Sequence, residues 1–262
     1  MIISVINHTN GKISDEEIHT ALRAINRQIR EDFEPYWSLG ANLRLEGKST
    51  LKPDKLKLPD MRGDAVLYLW DEVDADDALG YHEQNNRGIP FGIVFTELSR
   101  QLGENWTATL SHEALELIGD PEVNLLVVGP HPGDRRRHVF HWYEMCDAVQ
   151  AETYEIDGIE VSNFVLPLYF TREDEIGARN DFLGRCYDGK PLRSFGVNPG
   201  GYVGFYDPQK RDDVTFSMKG DGLAARRLQL KLKAGRARRA VRYRELTKGT
   251  HHSGRKKPIR HK

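Results

Sequence analysis

Trp106–Pro121 reads WTATLSHEALELIGDP, and the reading of this stretch decides the fold. It predicts a helix. Thr107 or Thr109 can cap its start, Gly119 can end it in a left-handed turn, and Pro121 forbids continuation. At about 100° per residue, with His112 as origin, Glu116 falls near 40°, Asp120 near 80° and Glu113 near 100°. Leu110, Ala114, Leu115, Leu117 and Ile118 take the opposite arc. One face is therefore apolar, and the other carries an imidazole and three carboxylates. The competing reading is an ordinary amphipathic helix with a solvated acidic face.

His112-Glu113-Ala114-Leu115-Glu116 resembles HExxH, the signature of the zincin metallopeptidases, with Glu116 in place of the second histidine. Gly119 also matches the glycine of the extended pattern, whereas Glu122 stands where that pattern has a third His or Asp. The resemblance implies His112 and Glu116 as ligands of a divalent metal and Glu113 as the general base. It leaves a third ligand to be found among Asp120, Glu122, Glu144 and Asp147, with His82 at the edge of the cleft. One imidazole among carboxylates is a harder donor set than two imidazoles. Zn²⁺ is the first expectation, with Mn²⁺, Mg²⁺ or Ca²⁺ as alternatives.

Outward from the helix, the upstream pattern agrees with that family. Ile2–Ile6 is a short β-branched run, and Ala65–Trp70 (AVLYLW) is a strong strand pattern. Ser14 and Glu17 form a capping box that opens a helix with Ile18, Leu22, Ile25 and Ile29 at helical spacing. Ala41–Leu45 reads as a second strand. Ile89–Thr96 reads as an edge strand because of Pro90 and Gly92. Gly80-Tyr81-His82 leads into a turn. The order strand, helix, three strands, motif helix is similar to the zincin catalytic subdomain over about the first 120 residues. Ser111-His112-Glu113, Asp120-Pro121, Glu144-Met145-Cys146-Asp147 and Ser162–Pro167 (SNFVLP) together resemble a group of bacterial and phage proteins that carry no established activity.

Downstream, Arg135-Arg136-Arg137 reads as a solvated loop and Val139–Glu144 as a strand. Thr153–Ile156 and Ile159–Val161 flank Asp157-Gly158 as a hairpin. Asn163–Phe170 is apolar and should pack beneath the site. Phe195–Tyr202 is rich in glycine but lacks GxxxxGK[ST], so it is no phosphate loop. Val214–Met218 and Arg227–Lys233 read as strands, the latter with Leu228, Leu230 and Leu232 on one face and Lys231 and Lys233 on the other.

Charge is unevenly spread along the 262 residues. From Ala225 onward there are 15 Lys and Arg against Glu245 alone, so the preceding residues carry about −15 of a net −1. Arg236, Arg238, Arg239, Arg242, Arg244, Lys256 and Lys257 form a basic tail suited to nucleic acid or another polyanion. Cys146 and Cys186 define neither a disulfide framework nor a CxxC metal site, and Cys146 reads as a buried thiol. No apolar run reaches the roughly 18 residues of a membrane span, and MIISVINHTNGK does not resemble a signal peptide. A cytoplasmic or virion-associated setting without membrane contact follows.

The expected architecture is α+β: a zincin-like domain over 1–190, a β-rich appendage over 191–233 and a basic flexible tail over 234–262. The expected function is a metal-dependent, peptidase-like hydrolase acting on peptide or protein. The alternative is a non-enzymatic, zincin-like binding or phage-associated structural protein that works through its tail.

Overall fold

The computed structural model describes residues 1–46, 62–71, 79–174 and 177–220, with Gly222 and Ala225. The chain is mixed α+β. Strand β1 (Ile2–His8) is followed by helix α1 (Asp15–Gln28), a π-helical turn (Ile29–Phe33) and the short α2 (Glu34–Trp37). Then come β2 (Asn42–Glu46), β3 (Ala65–Trp70), β4 (Gly80–Gln84), β5 (Pro90–Phe95), α3 (Thr96–Gln101) and α4 (Trp106–Gly119). The capping box of α1 is present: Ser14 Oγ accepts from Glu17 N, and Glu17 accepts from Ser14 N.

Strands β1 to β5 form one sheet in the order β2-β1-β3-β5-β4. All neighbours are parallel except β4, which runs antiparallel to β5 at the edge. Alternation sorts their side chains. Ile3, Val5, Leu67, Leu69 and Val94 face α1 and α4 in the main core. Val66, Tyr68, Phe91, Ile93 and Phe95 build a second apolar layer on the other side.

The edge expectation for Ile89–Thr96 is corrected: β5 is paired on both sides, and β4 is the edge. Pro90 is tolerated because it opens the strand, where a missing N–H costs least. Gly92 is needed where Leu67 closes in, since a Cβ there would meet Leu67 Cδ2 at 2.6 Å. Gly80-Tyr81-His82 leads into a turn as expected: it opens β4, and the turn follows, closed by Gly88 N donating to Asn85 O at 2.9 Å.

The second half holds β6 (Leu126–His131), β7 (Asp134–Trp142), the hairpin β8 (Thr153–Ile156) and β9 (Ile159–Ser162), and the two-residue pair β10 (Cys186–Tyr187) and β11 (Lys190–Pro191). It ends with β12 (Tyr202–Asp207) and β13 (Asp212–Ser217), and a second sheet runs β13-β12-β7-β6. The boundary expected at 190/191 therefore falls inside a shared sheet, because β12 pairs with β7 through Phe205↔His141. Arg135–Arg137 belongs to β7 rather than to a loop. Arg135 donates to Ser194 O at 2.9 Å, and Arg137 pairs with the buried Asp207 at 2.8 Å. The β8–β9 turn is as expected, with Asp157 and Gly158 both at positive φ, 52° and 78°.

Residues 47–61, the acidic positions Glu72, Asp74, Asp76 and Asp77, the strand expected at 227–233, and Arg236, Arg238, Arg239, Arg242, Arg244, Lys256 and Lys257 lie outside the described residues. Among the described residues, no helix is long and apolar enough to cross a membrane.

Candidate metal centre

Helix α4 is buried on every side, from Thr107 to Gly119. A solvated acidic face is thus excluded, and each polar side chain on it must find a partner inside the protein. Two of them fix its position. Thr107 Oγ1 donates to Glu160 O at 2.8 Å. Ser111 Oγ donates to Gln28 Oε1 at 2.6 Å and accepts from Ser162 N at 3.1 Å, which ties α4 to α1 and β9.

The helix ends differ from the sequence reading. Asn105 stands at the N-cap rather than Thr107 or Thr109. Gly119 is not left-handed; it remains within the helix. Its missing side chain makes room for Met145, whose Cε would lie 2.2 Å from a Cβ. That packing brings the segment Glu144–Asp147 down onto the end of α4.

His112 is fully buried. Its Nε2 faces Glu116 Oε2 at 3.2 Å and Asp147 Oδ1 at 3.3 Å. On the other side of Glu116 stands His82 from the edge strand. Its Nδ1 lies 3.3 Å from Glu113 Oε2 and 3.5 Å from Glu116 Oε2, and its Nε2 lies 3.5 Å from Glu144 Oε2. Gly80 permits this approach, because a Cβ there would stand 2.8 Å from Glu113 Oε1. The remaining oxygen of Glu116, Oε1, accepts from Cys146 N at 3.2 Å.

The sequence candidates thus divide. His82, His112, Glu113, Glu116, Glu144 and Asp147 come together. Asp120 caps the end of α4 and accepts from Leu125 N at 2.9 Å, which gives it a turn-holding role. Glu122 is exposed and accepts from Asn124. Among the described residues two compact groups have ligand atoms within 4.8 Å of one another, His112–Glu116–Cys146 and His82–Glu113–Glu116. Asp147 belongs to neither group; its Oδ1 lies 3.3 Å from His112 Nε2. Cys146 is packed within the apolar core, and its backbone N–H donates to Glu116 Oε1.

Tyr202 was invisible in the sequence as a site residue. It hydrogen-bonds Asp147, and burial together with the nearby carboxylates Asp147, Glu116 and Glu113 pushes its phenol well above its ordinary range. The phenol stays protonated and donates to Asp147. Gly201 holds it there: a Cβ at that position would meet Ala148 O at 2.3 Å, so β12 starts hard against the turn that carries Asp147. Close approach of this kind was the one available signal in the glycine-rich loop.

Glu113, Glu116 and Asp147 are 1, 2 and 4% exposed. Burying each as an anion costs several kcal/mol, an amount recovered only by close positive partners. For an ion with donors at about 2.1 Å, tetrahedral geometry puts neighbouring donors about 3.4 Å apart. The separations of 3.2 and 3.3 Å from His112 Nε2 to Glu116 and Asp147 are of that size, while the set around His112 whose donors all lie within 4.8 Å of one another is His112, Glu116 and Cys146. No family model and no curated protein matches the chain.

Proposed function

We propose that the chain is a metal-dependent hydrolase of the peptidase-like kind, built on a zincin-like sheet. The observation that carries this reading is the buried approach of Glu116 and Asp147 to one nitrogen of His112. The sheet adds support: four parallel strands, an antiparallel edge strand bordering the cluster and the motif helix packed behind it. His112, Glu116 and Asp147 would hold the cation. Such an ion polarises a carbonyl oxygen and lowers the pKa of water.

The remaining side chains have roles that follow from their positions. Glu113 accepts a proton as water adds to the peptide carbonyl carbon. The same proton passes to the leaving nitrogen as the C–N bond breaks. Tyr202 holds Asp147 in place through its hydroxyl. Among the described residues strand β4 is the end strand of its sheet and carries His82 beside the cluster. Zn²⁺ remains the first expectation, with Mn²⁺ next for so carboxylate-rich a set. The basic tail is proposed to contact a polyanion, as its charge suggests.

The test is cleavage of a mixed fluorogenic peptide library by purified full-length protein reloaded with Zn²⁺ or Mn²⁺. Cleavage should stop on chelation and in Glu113→Gln. A protein that binds the ion but cleaves nothing with either metal would instead be the non-enzymatic binding protein.

A further inference from the structure

Glu116 Oε2 lies between two imidazoles, 3.2 Å from His112 Nε2 and 3.5 Å from His82 Nδ1. The cation assigned above uses the His112 side. The His82 side is a second set of donors, and the proposed reaction leaves its ring unused. Its atoms are His82 Nδ1, Glu113 Oε2 and Glu116 Oε2, all within 4.8 Å of one another. His82 is 9% exposed, and its other nitrogen, Nε2, makes no hydrogen bond and lies 3.5 Å from Glu144 Oε2.

We infer that the protein has a second divalent-cation site at His82, Glu113 and Glu116, with Glu116 shared between two ions. This rests on the metal reading of the His112 side for its first ion. Three features of the cluster carry it.

The first is charge. Glu113, Glu116, Glu144 and Asp147 are four carboxylates in one buried pocket, each 7% exposed or less. Burying carboxylates is costly, and cations held among them offset that cost. The second is the pattern of His82. A ligating imidazole commonly points its other nitrogen at a carboxylate, which fixes the ring and strengthens the donor. Glu144 Oε2 stands on that side, 3.5 Å from Nε2, which leaves Nδ1 facing Glu113 and Glu116. The third is spacing. The distances of 3.3 and 3.5 Å from His82 Nδ1 bracket the donor–donor separation of about 3.4 Å found around a small dication.

The site has a consequence for turnover. When it is filled, Glu113 is a ligand and no longer accepts the proton of the attacking water. Low metal therefore supports the reaction, and excess metal suppresses it.

The experiment is a titration of metal-stripped, full-length protein with Zn²⁺ by calorimetry, and with Mn²⁺ followed by electron paramagnetic resonance. Wild type should take two ions per chain. The first Mn²⁺ should give an isolated-ion spectrum, and the second should convert it to that of a spin-coupled pair, because the two ions share Glu116. His82→Asn should take one ion and keep the isolated spectrum. Glu144→Gln leaves the ring in place and should weaken the second ion by about 10- to 100-fold while sparing the first. Circular dichroism confirms that each variant is folded, and Glu144→Gln carries the test if His82→Asn is not. One ion in wild type, or two uncoupled ions unaffected by either substitution, overturns the second site and leaves the first standing. No ion in wild type overturns both.

Discussion

Glu113 Oε2 stands 3.3 Å from His82 Nδ1, across the gap between helix α4 and edge strand β4. Position 80 must stay small for this contact as it stands, since a Cβ there would lie 2.8 Å from both Glu113 Oε1 and Thr109 Cγ2 and force them to shift. The carboxylate one residue past His112 is thus held off the His112 nitrogen and turned toward the edge strand. On the proposed function, this orientation separates a ligand from a proton acceptor on the same turn of helix. Glu113→Gln keeps size and loses basicity. It should cut peptide cleavage by about 10²–10⁴-fold while the ion at His112 is retained. Measured turnover within threefold of wild type would remove Glu113 from the reaction.

Gly201→Ala tests the support behind Asp147. The added Cβ would meet backbone on three sides, Ala148 O at 2.3 Å, Ala148 C at 2.7 Å and Asp147 O at 3.0 Å. Backbone cannot rotate away as a side chain can. The turn carrying Asp147 must shift, and Tyr202 shifts with it. Overpacking of this kind costs about 1–3 kcal/mol. Chemical denaturation should show that loss, and calorimetry should show weaker Zn²⁺ binding. Unchanged affinity would mean that Asp147 is not a ligand.

Much of the first half of the fold was readable. Ala65–Trp70 appears as a strand with the bounds its apolar run suggested, and the Ser14/Glu17 box opens α1 where local chemistry placed it. Asp157-Gly158 makes its turn for the same local reason. What escaped depended on distant partners. Three consecutive arginines have no strand pattern, yet Ser194 O and Asp207 receive two of them inside β7. Gly119 read as a helix stop because its tight neighbour, Met145, lies 26 positions on. Of the site, His112, Glu113 and Glu116 announced themselves by spacing, whereas Tyr202 sat in a glycine-rich stretch with no local mark. His82 was legible only as a histidine near an expected cleft.

Ser111 is the joint between α4 and its surroundings. Its hydroxyl donates to Gln28 Oε1 and accepts from Ser162 N, while Gln28 Nε2 donates to Ser162 O at 2.8 Å. Ser111→Ala leaves a buried acceptor on α1 and a buried donor on β9 without this partner. Each such loss costs about 1–3 kcal/mol. Thermal unfolding should register a clear fall in midpoint, and Ser111→Thr should restore part of it. A midpoint within one degree of wild type for Ser111→Ala would show that the joint bears no weight.

Acid should weaken the second sheet through His141. Burial pushes this imidazole down from its ordinary 6.5 to about 4, against the partial compensation of its contact with Pro130 O at 2.9 Å. The unfolded chain takes up the proton near pH 6.5 and the folded one only near 4. Stabilisation is therefore complete above that window and is lost as pH falls through it, by about 3 kcal/mol for the full span. His141→Gln keeps a donor for Pro130 O and has no such titration. Urea denaturation at pH 7 and pH 4.5 should give a smaller difference for the variant than for wild type. Equal differences would remove His141 from the acid response.

The central claim is that the His112 face of α4 holds a divalent cation. The most direct measurement is the metal content of purified full-length protein by mass spectrometry after equilibration with Zn²⁺ and exhaustive dialysis, run beside His112→Ala. At least one ion per chain should remain in wild type. His112→Ala should lose the ion assigned to that face, because the remaining donors there, Glu116 and Asp147, include no second imidazole. A folded wild-type protein that retains no ion with Zn²⁺ or Mn²⁺, or a His112→Ala variant that retains as many ions as wild type, would contradict the account.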